Sequence, residues 1–174
     1  MNITAGFYKG RKLQVPSSDI TRPTLSKVRM AVFNTLQNLI EFEDKSFLDM
    51  YSGSGIMALE ALSRGFKKIV LIDKSKDALQ IIKNNCKTLG VNPEIYFGDS
   101  IKTVSKLNYH FNVVYIDPPY FGGIYEKSLE AVKTSDIIIV EHVNSLDMSK
   151  FEVLKQKTYG EKTITFLKGQ NPNI

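Results

Sequence analysis

The chain has 174 residues, 43% of them hydrophobic, one cysteine and a net charge of +5. That length supports one domain with a real core, excludes two ordinary ones, and lies in a composition range where disorder is excluded. Cys86 alone excludes a disulfide framework, and neither a signal-peptide apolar region nor a membrane-length run is present, the purest run being Ile137-Ile138-Ile139-Val140. A soluble, cytoplasmic, monomeric protein is expected.

Ile3 to Phe7 and Arg11 to Val15 flank Tyr8-Lys9-Gly10 and predict a short β-hairpin with glycine at the turn. Thr21-Arg22-Pro23-Thr24 leads into a helix of about 16 residues with Val28, Val32, Leu36 and Leu39 on one face. Phe47 to Met50 predicts a strand, and Ile56 to Arg64 a helix closed by Gly65. Ile69 to Asp73 is a second strand, followed by a helix from Asp77 to Leu89 closed by Gly90. Glu94 to Phe97 and Ser100 to Leu107 repeat the unit. Phe111 to Ile116, the helix Tyr125 to Lys133 and the strand Asp136 to Glu141 form a fourth. Phe151 to Thr158 and Thr163 to Leu167 read as a closing antiparallel hairpin through Tyr159-Gly160-Glu161-Lys162. Strands alternating with helices of about ten residues imply an α/β fold whose largely parallel sheet is covered on both faces.

The charge is segregated. Residues 1–40 hold six basic residues (Lys9, Arg11, Lys12, Arg22, Lys27, Arg29) and one acidic residue, Asp19, so the whole excess lies there. The other 17 basic and 17 acidic residues cancel. An excess gathered in one segment reads as a surface for a polyanion.

Chemistry concentrates at two strand ends. Asp117-Pro118-Pro119-Tyr120 follows Ile116, where open α/β sheets hold their ligands. Each proline fixes its own φ and removes an N–H, leaving a stiff loop with carbonyls to accept, and Tyr120 adds a flat ring. Rigid acceptors beside a stacking face suit an exocyclic amino group on a nucleobase. Asp49-Met50-Tyr51-Ser52-Gly53-Ser54-Gly55 joins the first strand to its helix, and its glycines let backbone approach a ligand. Asp73, 20 residues beyond Gly53, can take both hydroxyls of a ribose. This spacing also satisfies the dinucleotide fingerprint. Tyr51 and Ser52, however, separate the glycines from the strand, and Asp49 would repel a pyrophosphate while suiting a cationic or amino-bearing ligand. S-adenosylmethionine is therefore favoured over NAD. Asp99 either accepts from an adenine amino group or caps the next helix. Glu141-His142 reads as a strand terminus more readily than as a catalytic pair. With His110 and His142 as the only histidines, nothing in the sequence resembles a metal site.

Asp49 to Gly55, Asp73, Gly98-Asp99 and Asp117 to Tyr120 are similar to the ordered motifs of class I S-adenosylmethionine-dependent methyltransferases that modify base amino groups. The wider pattern includes Ile3-Thr4-Ala5-Gly6, Tyr8-Lys9-Gly10-Arg11-Lys12-Leu13, Thr21-Arg22-Pro23-Thr24, Val32-Phe33-Asn34, Leu59 to Gly65, Glu141-His142 and Tyr159-Gly160. It resembles the RsmD family, bacterial enzymes that methylate guanine N2 in 16S ribosomal RNA, over nearly the whole chain. Tyr51-Ser52 stands where the family more often shows Phe-Ala or Phe-Cys. The resemblance implies a Rossmann-like, seven-stranded, mostly parallel sheet ending in an antiparallel hairpin. It implies one domain, with residues 1–41 an RNA-facing hairpin-helix extension and 42–174 the catalytic core. Implied catalytic residues are Asp117, Pro118, Pro119 and Tyr120. Asp49, Tyr51, Gly53, Gly55, Asp73 and Asp99 would bind S-adenosyl-L-methionine, and Lys9, Arg11, Lys12 and Arg22 would hold 16S rRNA, free or in the assembling small subunit. A DNA adenine or cytosine amino-methyltransferase and a non-catalytic RNA-binding module are the alternatives.

Overall fold

The computed structural model describes residues 1–16, 23–119, 123–143 and 146–170. Its strands are β1 Ser46–Asp49, β2 Lys68–Asp73, β3 Glu94–Phe97, β4 Phe111–Ile116, β5 Ser135–His142, β6 Val153–Tyr159 and β7 Lys162–Lys168. They form one seven-stranded sheet in the order β3-β2-β1-β4-β5-β7-β6. The first five run parallel, and β7 enters antiparallel between β5 and β6. Helices α1 Pro23–Leu36, α2 Ile56–Ser63, α3 Lys76–Leu89, α4 Ser100–Val104 and α5 Ile124–Ala131 complete the fold.

The strand pleat sorts the core into two layers. Phe47, Leu71, Val113, Tyr115, Ile137 and Ile139 meet Val32, Phe33 and Leu36 of α1, Leu59 of α2 and Ile82 of α3 on one face. Leu48, Val70, Val114, Ile116, Ile138 and Val140 meet Val104 of α4 and Leu129 of α5 on the other. Both faces are buried, which is why the central strands read as unbroken apolar runs. Ser75 caps α3 by accepting from the Ala78 N–H at 3.2 Å, and Gly90 closes it at φ 70°. Cys86 packs in this core, and burial pushes its thiol up to about 11, which keeps it neutral.

The expected N-terminal hairpin forms only in part. Met1 and Leu13 exchange backbone hydrogen bonds at 2.9 and 2.7 Å, Asn2 and Lys12 form an antiparallel bridge, and Ile3 donates to the Arg11 carbonyl at 3.0 Å. From Thr4 to Tyr8 the chain leaves this pairing, because α2 claims the backbone groups that a longer ladder would need. The N–H groups of Thr4 and Ala5 donate to the Glu60 carboxylate at 2.9 and 3.2 Å. Those of Phe7 and Tyr8 donate to the Ser63 carbonyl at 2.7 Å and the Ser63 hydroxyl at 2.9 Å. Gly6 is obligatory at this contact: its φ is +81°, and a Cβ would lie 1.8 Å from the Ser63 carbonyl oxygen. Leu39, expected on the buried face of the first helix, falls beyond the end of α1 and is exposed. Among the described residues, no helix is long and apolar enough to cross a membrane.

Candidate active site

From the pair β1–β4 the chain order runs outward in opposite directions, to β2 on one side and β5 on the other, and a crevice opens at such a switch point. Register fixes what faces it. Asp49 pairs with Leu71 on one side and Tyr115 on the other, and Tyr115 pairs with Ile139. Side chains alternate along a strand, so Asp49, Asp73, Tyr115, Asp117 and Glu141 all fall on the α1–α3 side of the sheet. Four acids thus converge at the carboxyl ends of four adjacent strands.

Two adjoining chambers occupy the crevice. The larger, about 240 Å³, is lined by Tyr51, Gly53, Asp73, Asp99, Asp117 and Pro119 among others. The smaller, about 160 Å³, is lined by Met1, Arg29, Asp49, Tyr51, Asp117 and Glu141 among others. Tyr51, Gly53 and Asp117 belong to both. Of the expected cofactor residues, Gly55 alone lines neither chamber. It stands behind the loop as the left-handed cap of α2, where a Cβ would come within 3.1 Å of Leu71 and 3.2 Å of Ile82. Its glycine is required by packing and conformation. Pro118 is buried and Pro119 exposed. Tyr120 and Arg22 lie outside the described residues.

The loop between β1 and α2 is laced in place by its own polar groups. Asp73 accepts from the Gly53 N–H at 2.7 Å and the Ser75 N–H at 2.8 Å. The Ser52 hydroxyl donates to the Asp49 carbonyl at 2.9 Å and accepts from the Ile72 N–H at 3.1 Å. Tyr51 shares a 2.6 Å hydroxyl contact with Ser128 of α5. Both residues at the departure from the commoner family sequence therefore have a partner that Phe-Ala would lack. Asp99 caps α4 by accepting from the Lys102 N–H at 2.9 Å and also lines the larger chamber, so both roles considered for it are open at once.

Asp49 is the electrostatic focus. It is 2% exposed, and its Oδ1 has no hydrogen-bond partner among the described residues. Burial, then the nearby charges of Asp117 and Asp73, push its carboxyl up to about 8, against an opposing pull from the backbone N–H groups of Tyr51 and Ala58. Because the folded pKa exceeds the unfolded one, the folded chain holds the extra proton between about pH 4 and 8, and stability falls as pH rises through that window. Asp49→Asn should match the parent near pH 4 and melt at higher temperature than the parent at pH 8. Thermal denaturation across this range should give a shallower decline for the variant; an unchanged decline would exclude Asp49 as its source.

The structure ties Glu141-His142, read above as a strand terminus, into a framework behind the site, and adds Asn85, which the sequence did not single out. Glu141 is buried, accepts from the Tyr115 hydroxyl at 2.5 Å and pairs with Lys162, which sets it as a wall of the smaller chamber. His142 is buried, contacts the Thr165 hydroxyl at 2.9 Å and lies edge-on to Tyr125. Asn85 of α3 donates to the carbonyls of Ser54 and Gln14, both at 2.9 Å, binding the glycine loop to the N-terminal segment. Arg29, counted above with the basic surface, is 2% exposed and pairs with fully buried Glu60 at 3.1 Å. Lys9, Arg11, Lys12 and Lys27 are exposed.

A parallel five-strand core with an antiparallel end, carrying an acid-lined crevice at its switch point, defines the Rossmann-like fold of class I methyltransferases. The family model described as "Conserved hypothetical protein 95" matches residues 1–168. Ribosomal RNA small subunit methyltransferase D of Haemophilus influenzae is 30% identical over 92% of this chain and 89% of its own. The protein of the same name from Escherichia coli K12 is 33% identical over 76% of this chain and 67% of its own. The solved structure of yhhF from Escherichia coli, 28% identical, superposes with a TM-score of 0.85 over 98% of both chains. The chain belongs to the RsmD family.

Proposed function

We propose that this protein transfers a methyl group from S-adenosylmethionine to the exocyclic N2 of a guanine in 16S ribosomal RNA. The observation that carries this reading is the position of Asp117, on the wall common to the two chambers. A group there meets both a ligand held over β1–β3 and a base presented at the end of β4.

The donor set fits the cofactor. Asp49 offers a buried, unpartnered carboxylate oxygen to a cationic amino group. Each oxygen of Asp73 keeps a second lone pair for a ribose hydroxyl after serving Gly53 and Ser75. Asp99, which lines the larger chamber, accepts from an adenine amino group, and Tyr51 and Gly53 line both chambers. S-adenosylmethionine, when bound, supplies the methyl group on an electrophilic sulfonium. This chain's own residues prepare the amine. Its lone pair is delocalised into the guanine ring; accepting one hydrogen at Asp117 and the other at the Pro118 carbonyl localises it on nitrogen. In-line placement on a stiff loop then supplies several kcal/mol. The proton that the nitrogen sheds on gaining the methyl passes to the Asp117 carboxylate. Tyr120 stacks on the base, and a paired guanine leaves its helix to reach it. Residues 1–41 face RNA, with Lys9, Arg11, Lys12 and Arg22 on phosphates, and 42–174 form the catalytic part of the same domain.

Saturating S-adenosylhomocysteine should raise the melting temperature by about 5–10 °C at 100-fold excess over its Kd, and NAD should leave it unchanged. Stabilisation by NAD alone would overturn the cofactor assignment.

A further inference from the structure

The geometry points to Phe7 as a stacking platform for an unpaired base of the RNA substrate, an inference that rests on the RNA reading above. Phe7 is 88% exposed, while the next most exposed large hydrophobic among the described residues, Phe97, reaches 57%. A ring so fully in water contributes nothing to the core, yet the backbone that carries it is held firmly. Its N–H donates to the Ser63 carbonyl at 2.7 Å, its neighbour Tyr8 is tied to the Ser63 hydroxyl, and Gly6 on the other side is locked against α2. The ring meets Tyr8 in a T-shaped contact, with centroids 4.9 Å apart and planes at 83°, and Tyr8 itself packs against the core. The loop closes behind it through Gly10 N–H to the Ile3 carbonyl at 2.9 Å and Ile3 N–H to the Arg11 carbonyl at 3.0 Å. A ring carried on a fixed backbone loses less conformational freedom on stacking than one on a mobile loop.

The surroundings select the occupant. Gly6, Lys9, Gly10, Arg11 and Lys12 neighbour the ring in sequence, and the three cations are exposed, so no apolar patch of the kind a protein partner would bury is present in this loop. A lone aromatic face among cations matches a single nucleic-acid strand, whose bases stack while its phosphates pair with Lys and Arg. The same segment begins at Met1, which lines the smaller chamber. Six residues reach at most about 20 Å, so a base on Phe7 belongs to the strand that delivers the target guanine. Sequence alone hid this role, because Phe7 read as the last residue of a hairpin strand.

The chain contains no tryptophan, so Phe7→Trp installs a single reporter at the platform. Titration with a transcribed 16S ribosomal RNA fragment should quench its emission, at an affinity close to the parent's. Phe7→Ala should weaken filter binding of the same fragment by about 5- to 150-fold, the loss of one stacked base. Its slope of log affinity against log salt should stay at the parent value, since stacking displaces no counterion. Replacing Lys9, Arg11 and Lys12 together by Ala should instead flatten that slope by up to about 2–3 units. The S-adenosylhomocysteine thermal shift should be the same in all of these variants, which reports an intact fold. If the parent binds the fragment and Phe7→Ala binds equally well, or Phe7→Trp emission ignores saturating RNA, the platform is refuted. If the parent itself fails to bind, the RNA reading beneath it falls.

Discussion

Asp117→Ala should lower methyl transfer to 16S ribosomal RNA by about 100-fold or more, the scale of deleting one preorganised polar group at a reacting centre. Cofactor affinity should hardly change. The larger chamber keeps Tyr51, Gly53, Asp73 and Asp99, and the loop that shapes it is fastened by Ser52 and Asp73. Removing one of the acids that crowd Asp49 should also ease its burial as an anion. Single-turnover transfer and S-adenosylhomocysteine titration separate the two quantities. Near-parental turnover would remove Asp117 from the chemistry, and a parallel collapse of cofactor binding would reassign it to the cofactor.

The largest loss of stability is expected from Glu60→Ala. This carboxylate has no exposed surface and accepts from Thr4 N–H at 2.9 Å, Thr4 Oγ1 at 2.5 Å, Ala5 N–H at 3.2 Å, Arg29 Nε at 3.1 Å and Arg64 Nε at 2.9 Å. Without it, buried Arg29 keeps a donor to the Asn2 carbonyl at 2.7 Å but loses its counter-charge, and two backbone N–H groups lose their acceptor. Breaking a buried pair from one side costs about 3–5 kcal/mol, or about 6–20 °C of melting temperature in a chain of this size. Glu60→Gln, which keeps an acceptor but not the charge, should fall between. Because the same carboxylate seats residues 1–5 beside the smaller chamber, RNA binding should weaken as well. Thermal denaturation decides the point: a drop of less than about 2 °C would mean that the N-terminal segment is held by other contacts.

Legibility in the sequence followed the range of the interactions. Strands β3 and β4 fall on the expected residues, since short apolar runs bounded by glycine, proline and aspartate carry their own limits. The parallel core and the antiparallel end follow from the same alternation. Residues 4–8 leave the expected N-terminal hairpin because their backbone donors are taken by Glu60 and Ser63, more than 50 residues away, and no local pattern reports such competition. Arg29 looked like part of a basic surface for the same reason, its partner lying 31 residues along the chain. One signal was available. Glu60 interrupts the otherwise apolar helix Ile-Met-Ala-Leu-Glu-Ala-Leu-Ser, and an acid on a buried stripe requires a cation. At the site, the acids were visible as strand-end residues, but their gathering on one face, and Glu141 with them, needed the register between β1, β4 and β5.

The most direct test of the account is mass mapping of 16S ribosomal RNA nucleosides from a strain lacking this chain. One N2-methylguanosine should be absent, restored by the parent gene and not by Asp117→Ala. An unchanged nucleoside map in the deletion strain would contradict the account.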